Sequence, residues 1–303
     1  KGVIGMTARE SEKEEDSDFV KYLFTAATHD YLMFFTESGR CYVERVFEIP
    51  EGSRASKGRS IANLLELRSE EKITATIRVQ GQKTDDETWN EGLHIVFATR
   101  SGIVKKSNLN DFKNIRKGGI IAIKIEEGDK LIDCKLTEGH NEIVLITHEG
   151  MSIRFSEEEV KDQGRDTVGV WGIRPSKGDY IVGAAIVNKD AQLLVAGENG
   201  LGKRTSFEEY RLQGRGGKGI ITMKTNDKTG AVAGALTVRD DDELMLITNK
   251  GKMVRTRISE IRETGRNAQG VKLIDLRANE VLQAIAPVVS DEEDEEETAA
   301  PAE

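Results

Sequence analysis

Five times along this chain a short apolar run leads, after a brief polar step, to a glycine. The runs are Tyr31–Thr36, His94–Thr99, Glu142–Thr147, Gln192–Ala196 and Glu243–Thr248, and the glycines are Gly39, Gly102, Gly150, Gly200 and Gly251. These glycines lie 63, 48, 50 and 51 residues apart. A second glycine follows 17 or 19 residues later each time: Gly58, Gly119, Gly169, Gly219 and Gly270. Each unit closes on another apolar segment: Ile73–Val79, Leu131–Thr137, Tyr180–Val187, Ala231–Val238 and Val281–Val288. Such periodicity means stacked copies of one supersecondary unit, each covering the apolar face of the next. The longer first interval holds the polar insertion Gln80–Gly92, which reads as an extended loop.

The chemistry of a unit is local. Its first run is five or six residues long and rich in β-branched and aromatic side chains, which makes a buried strand. The glycine after it supplies the positive φ of a tight hairpin. A second strand carries basic residues. Short polar stretches follow, such as Asn108–Phe112, Ser156–Val160 and Ser206–Tyr210, and each reads as one helical turn with an Asn or Ser cap. The second glycine opens a third strand, as in Gly119–Ile125 and Gly219–Lys224, and the closing run is the fourth. Four short strands in about 50 residues make a propeller blade. At the N-terminus Lys1-Gly2 matches the second anchor and Phe19–Thr28 a closing strand. The expectation is therefore six blades, with the sequence beginning inside a truncated first one. The units are placed at about 1–28 (partial), 29–79, 93–137, 141–187, 191–238 and 242–289.

Composition excludes several classes. Of 303 residues, 37 % are hydrophobic and 32 % charged, which is neither collagen-like nor wholly disordered. No stretch reaches the ~18 apolar residues of a membrane helix, and two cysteines are too few for a disulfide framework. A reducing cytoplasm is the expected setting. The net charge of −9 misleads, because eight of the 53 acids fall in 290–303, a stretch expected to be a disordered acidic tail. The body, 1–289, has nearly as many bases as acids.

Its bases recur in register. Past the turn glycines stand Arg45, Lys105 with Lys106, Arg154, Lys203 with Arg204, and Arg255 with Arg257. The loops that follow carry Arg54, Lys57 and Arg59; Lys113, Arg116 and Lys117; Lys161 and Arg165; Arg211, Arg215 and Lys218; Arg262 and Arg266. In a cyclic array a base repeated in every blade becomes a positive belt, which suits a long polyanion. The bland alternative, that these residues only solubilise exposed strands, is weaker for five in register than for one. Gln213–Gly219 (QGRGGKG) is the most unusual segment, a flexible basic loop in which Gln213, Arg215 and Lys218 can meet phosphates. It is no nucleotide P-loop, since Gly219 stands where that motif needs Ser or Thr. His29, His94, His140 and His148 have no metal-ligand spacing with cysteine, and no nucleophile elbow is present. Trp89 and Trp171 have the shape to stack on a base, but Trp171 reads first as core or blade-edge packing.

Thr28-His29-Asp30, Gly102–Lys106 (GIVKK), Gly200–Thr205 (GLGKRT), Gly251–Arg257 (GKMVRTR) and Gly265–Gly270 (GRNAQG), together with the two-glycine repeat, resemble the C-terminal domain of the A subunit of bacterial DNA gyrase. The resemblance covers nearly all of 1–289. It implies an all-β, six-bladed β-pinwheel with four-stranded blades that exchange strands, and a basic perimeter that wraps duplex DNA for negative supercoiling. The candidate DNA-binding set is then Lys1, Arg45, Lys57, Arg59, Lys105, Lys106, Arg116, Lys117, Arg154, Arg165, Lys203, Arg204, Gln213, Arg215, Lys218, Arg255, Arg257 and Arg266. By the same resemblance the partners are duplex DNA, the N-terminal part of the gyrase A subunit, plus the gyrase B subunit, in an A2B2 heterotetramer. No membrane is implied, and the location is the nucleoid-associated cytoplasm. No catalytic residue, metal or cofactor is expected in this chain, ATP and Mg belonging to other parts of that topoisomerase. The family's box, Gln-Arg-Arg-Gly-Gly-Lys-Gly, survives at the start only as Lys1 and Gly2, and Gln213–Gly219 has Gly214 for its first Arg. Two other readings are the related domain in the A-type subunit of topoisomerase IV and, further off, a protein-binding propeller.

Overall fold

The computed structural model describes residues 26–52, 60–81, 91–113, 115 and 117–288. The strands come in five groups. They are β1 (Tyr31–Thr36), β2 (Arg40–Arg45) and β3 (Ile73–Val79); β4 (His94–Thr99), β5 (Ile103–Asn108), β6 (Ile120–Ile121) and β7 (Leu131–Thr137); β8 (Glu142–Thr147), β9 (Met151–Ser156), β10 (Val170–Trp171) and β11 (Ile181–Ile186); β12 (Gln192–Gly197), β13 (Leu201–Ser206), β14 (Ile220–Ile221) and β15 (Val232–Val238); β16 (Glu243–Thr248), β17 (Met253–Arg257), β18 (Val271–Lys272) and β19 (Leu282–Val288).

All pairings within these sheets are antiparallel, and the short strand of each unit leaves home. The sheets run β3-β1-β2-β6, β7-β4-β5-β10, β11-β8-β9-β14, β15-β12-β13-β18 and β19-β16-β17. So β6, β10, β14 and β18 each complete the sheet of the preceding unit. The third strand is thus two residues long and belongs to the neighbour, not a long strand of its own blade. The fifth sheet has three strands among the described residues.

Among the described residues there are five blades, which corrects the expected six. The sixth was to come from 1–28, of which 1–25 lie outside the described residues.

Both glycine anchors now have a cause. A Cβ on Gly150, at φ +82°, would fall 2.1 Å from the Met223 carbonyl oxygen of the next unit. One on Gly219, at φ +78°, would fall 2.2 Å from the Ser152 oxygen of the unit before. The two glycines bracket the exchanged strand at the points where neighbouring backbones touch. There the Gly150 carbonyl accepts from Thr222 and Met223 N–H at 2.8 and 3.2 Å.

The core is a series of layers between blades. Phe35 of β1 meets Phe97 of β4 edge-on, with centroids 5.6 Å apart, and free Cys41 and Cys134 lie in this first layer. Leu145, Ile153 and Phe155 fill the second, Leu193, Val195 and Phe207 the third, and Leu244, Leu246 and Ile258 the fourth. The closing strands β3, β7, β11, β15 and β19 pack in succession on one another, which makes theirs the inner edge of the fan and the exchanged strands the outer one. The expected helical turns are single 3-10 turns. Asn108 Oδ1, Ser156 Oγ and Ser206 Oγ cap them, accepting from Asn110, Glu158 and Glu208 N–H at 2.9, 3.2 and 3.2 Å. No helix among the described residues is long and apolar enough to cross a membrane.

Candidate nucleic-acid interface

The repeated bases separate into two populations. Those on the second strands of the three middle blades, β5, β9 and β13, turn into the joints between blades. Lys105, on β5 opposite Phe97, is fully buried, and its Nζ donates to the Ala122 and Arg165 carbonyls at 2.6 Å each. Lys203, opposite Val195, repeats the arrangement, donating to the carbonyls of Gly265 (2.7 Å) and Arg266. Burial pushes both ammonium groups down to about 8.

The next position along the strand grips the 3-10 turn of the following blade. Lys106 Nζ donates to Glu157 O at 3.2 Å and lies 3.6 Å from Asp162 Oδ1. Arg154 donates to Phe207 O and Tyr210 O at 2.7 and 2.9 Å, and to Glu142 Oε2 at 2.5 Å. Arg204 reaches Ile261 O at 2.5 Å and Gln192 Oε1 at 3.0 Å, and pairs with Asp240.

Of the expected belt of second-strand and loop bases, the second strands of the middle blades therefore offer little to solvent. Lys105 and Lys203 have no solvent-facing surface, and Lys106, Arg154 and Arg204 are committed to neighbouring carbonyls. The reason is packing. A stacked blade has both faces covered, so a base on its middle strands must find partners inside, and carbonyl-rich loop ends supply them.

The exposed positive charge sits instead in the loops that lead to the exchanged strands. Lys117, Lys161, Arg165, Arg211, Lys218 and Arg262 are all exposed, one or two at each joint. Arg45, Arg255 and Arg257 remain exposed on the terminal blades, where Arg255 pairs with Glu243 at 2.7 Å. Arg215 and Arg266 are half-buried at equivalent places. Arg215 Nε donates to Glu159 O at 3.0 Å and Nη1 to Trp171 O at 3.2 Å, and Arg266 Nη1 donates to Ile221 O at 2.7 Å. Gln213 fixes the start of its loop through N–H to Arg154 O at 2.9 Å, and Gly216 N–H reaches Gly172 O at 2.6 Å. The glycine-rich loop is thereby laid across the neighbouring blade. Lys1, Lys57, Arg59 and Arg116 lie outside the described residues, as do Arg54, Trp89 and the acidic tail.

His94 and His148 take structural places, while His29 and His140 are exposed. His94 Nε2 is 3.1 Å from Asp162 Oδ2, and His148 stacks on Tyr180 with centroids 4.5 Å apart. Among the described residues no group of three or more His, Cys, Asp or Glu is disposed to hold a metal ion. Sequence reasoning missed Arg174, whose guanidinium stands 5.9 Å from the centre of the Trp171 ring, and the outward position of Trp171 itself.

Strand-exchanging blades with cations at each outer joint define a propeller-like repeat domain. The family described as DNA gyrase C-terminal domain, beta-propeller, matches residues 30–80, 93–138, 141–188, 191–239 and 242–288, and the chain belongs to that family. The DNA gyrase A subunit of Clostridium acetobutylicum is 42 % identical over 303 residues, covering 99 % of this chain and 35 % of that protein. Its counterpart in Escherichia coli (strain K12) is 39 % identical over 293 residues, covering 96 % and 33 %. The chain thus spans about a third of the length of these relatives. A solved DNA gyrase A C-terminal domain superposes with a TM-score of 0.75 at 25 % identity, covering 95 % of this chain and 92 % of the other. The C-terminal domain of DNA topoisomerase IV superposes at 0.76 with 28 % identity, covering 86 % and 80 %.

Proposed function

We propose that this domain binds duplex DNA along its outer edge, without sequence preference, and bends it around the blades. The observation that carries the reading is the exposed base at every blade joint: Lys117, Lys161 with Arg165, Arg211 with Lys218, and Arg262. Phosphates recur along a duplex, and an arc of regularly placed cations meets them in succession. Among the described residues the outer edge consists of two-residue strands, single 3-10 turns and the loops between them, none of which is an element that fills a major groove and reads base edges. Within the larger protein, wrapping would set the handedness of a DNA crossing for negative supercoiling. The gyrase B subunit, the N-terminal part of the A subunit in an A2B2 heterotetramer, and ATP with Mg would supply the remaining chemistry in the nucleoid-associated cytoplasm.

The test is fluorescence anisotropy with unrelated duplexes over a salt series. If six to ten phosphates are engaged, affinity falls by roughly 10³–10⁵ between 50 and 200 mM salt, equally for all sequences. Salt-independent binding, or strong preference for one duplex, rejects the reading.

A further inference from the structure

Three of the four exchanged strands end on a large apolar side chain that faces solvent. Ile121, Trp171 and Ile221 are 46 %, 41 % and 45 % exposed, and each is the second residue of its strand. They hold one repeat position at the outer edge of successive blades, where the fourth exchanged strand has Lys272. Isolated exposed hydrophobes need no explanation, but three in register on the edge that also carries the exposed bases do. Arginines flank them: the carbonyl of Trp171 accepts from Arg215 and that of Ile221 from Arg266, so two guanidinium groups are fixed against the backbone of the residues that face outward.

Resting on the DNA-binding reading above, we propose that Ile121, Trp171 and Ile221 press into the minor groove of the bound duplex and set where it bends. Cations alone attract a duplex to the rim, but they do not decide where along the helix it deforms. Proteins that bend DNA from the minor groove combine Arg with apolar wedges that partly unstack base steps, giving kinks of about 20–90°. A narrowed minor groove also has an enhanced negative potential that favours an inserted Arg. The exchanged strands are only two residues long, so each wedge stands at the rim of its blade, and those at Trp171 and Ile221 have an arginine beside them. One apolar side chain per exchanged strand, with Leu212 exposed in the loop before the third and cations between, differs from the charge-depleted apolar centre that a protein partner buries. It does match a periodic polyanion whose sugar edges are apolar.

The test combines Ile121→Ser, Trp171→Ser and Ile221→Ser in the full chain, with Ile121→Leu, Trp171→Phe and Ile221→Leu as the conservative set. Thermal melts confirm folding, and the single Ser variants are used if the triple one melts early. The readouts are affinity for linear duplex over a salt series, hydroxyl-radical footprints, and the linking-number shift after ligation of nicked plasmid at matched occupancy. The Ser set is expected to lose a few-fold in affinity with an unchanged salt slope, at least half of the linking-number shift, and the minor-groove protection that repeats every ~10 bp. The Leu/Phe set is expected to keep all three. A Ser set that shifts linking number like the parent, or a Leu/Phe set that fails as badly as the Ser set, overturns the proposal. Failure of the parent chain to bind duplex at all overturns the DNA-binding reading instead.

Discussion

Lys203 and Lys218 lie fifteen residues apart in the same unit, carry the same charge, and live in opposite environments. Lys203 is sealed in a joint with its ammonium on two carbonyls of the next blade, while Lys218 stands exposed in the loop before the exchanged strand. The same contrast separates Lys105, buried in its joint, from the exposed Lys161 and Arg165 of the next unit. A repeated cation in a stacked array therefore has two uses: it rivets blades together where a strand is covered on both faces, and it meets solvent where a loop crosses the outer edge. Each use leaves a different experimental trace.

The largest effect is expected from the rivets. Lys203→Ala leaves the Gly265 and Arg266 carbonyls without their donor and opens a void beside Val195. A loss of about 2–5 kcal/mol follows, since each buried unsatisfied group costs ~1–3 kcal/mol and the cavity adds to it. Denaturant unfolding measures this. The fraction that remains folded should bind DNA with an unchanged salt slope; a shallower slope with unaltered stability would exchange the roles of strand and loop.

Next comes the loop population. Lys161→Ala, Arg165→Ala and Lys218→Ala together should change stability by less than about 0.5 kcal/mol each, as surface substitutions do. The slope of log K against log salt should become shallower by roughly 0.9 for each phosphate that is no longer neutralised. Arg215→Ala stands between the classes. Removing its bonds to Glu159 O and Trp171 O should cost on the order of 1 kcal/mol, and the slope should change by no more than a single phosphate's share. If Arg215→Ala changes only one of the two quantities, the boundary between rivet and rim moves past this residue.

How far these roles were readable in the sequence follows from how local their causes are. The strands and turn glycines were legible, because apolar runs of five or six residues and positive φ are set by nearby residues; β11 begins at Ile181, one residue inside the expected Tyr180–Val187. The Asn108, Ser156 and Ser206 caps were legible for the same reason. The exchange of β6, β10, β14 and β18 was not readable from the residues themselves, since two residues carry no periodicity, and it entered only through the family resemblance. The direction of the bases was misread, because a strand with consecutive cations at Lys105 and Lys106 suggests at least one solvent face. One signal argued otherwise: the position of Lys105 and Lys203 is occupied by Ile153 in the intervening blade and by Tyr42 in the first, both buried. An apolar residue at the same repeat position marks an interior place whatever its charged counterparts suggest.

The last effect is the one most specific to the rivets, and it is small near neutral pH. Lys105 and Lys203 titrate at about 8 in the folded protein, against an ordinary value of about 10.4. Below pH 8 both states hold the proton, and the penalty of burying a charge is present in full. Between about 8 and 10.4 the folded state holds fewer protons than the unfolded chain, so this contribution to stability rises with pH. At pH 8.5 the gain is less than about 1 kcal/mol per lysine. Other groups oppose it: burial pushes the Cys41 and Cys134 thiols and the Tyr42 and Tyr210 hydroxyls up, so the unfolded chain loses those protons first and stability falls with pH on their account. The measurement is therefore a difference. The stability of Lys105→Met/Lys203→Met subtracted from that of the parent, by denaturant unfolding at pH 7, 8, 9 and 9.5, should be flat to about pH 8 and rise above it. Loop variants such as Lys218→Ala should give a flat difference throughout. A flat difference for the Met pair as well would mean that solvent reaches these ammonium groups, and the rivet would then be no different from the rim.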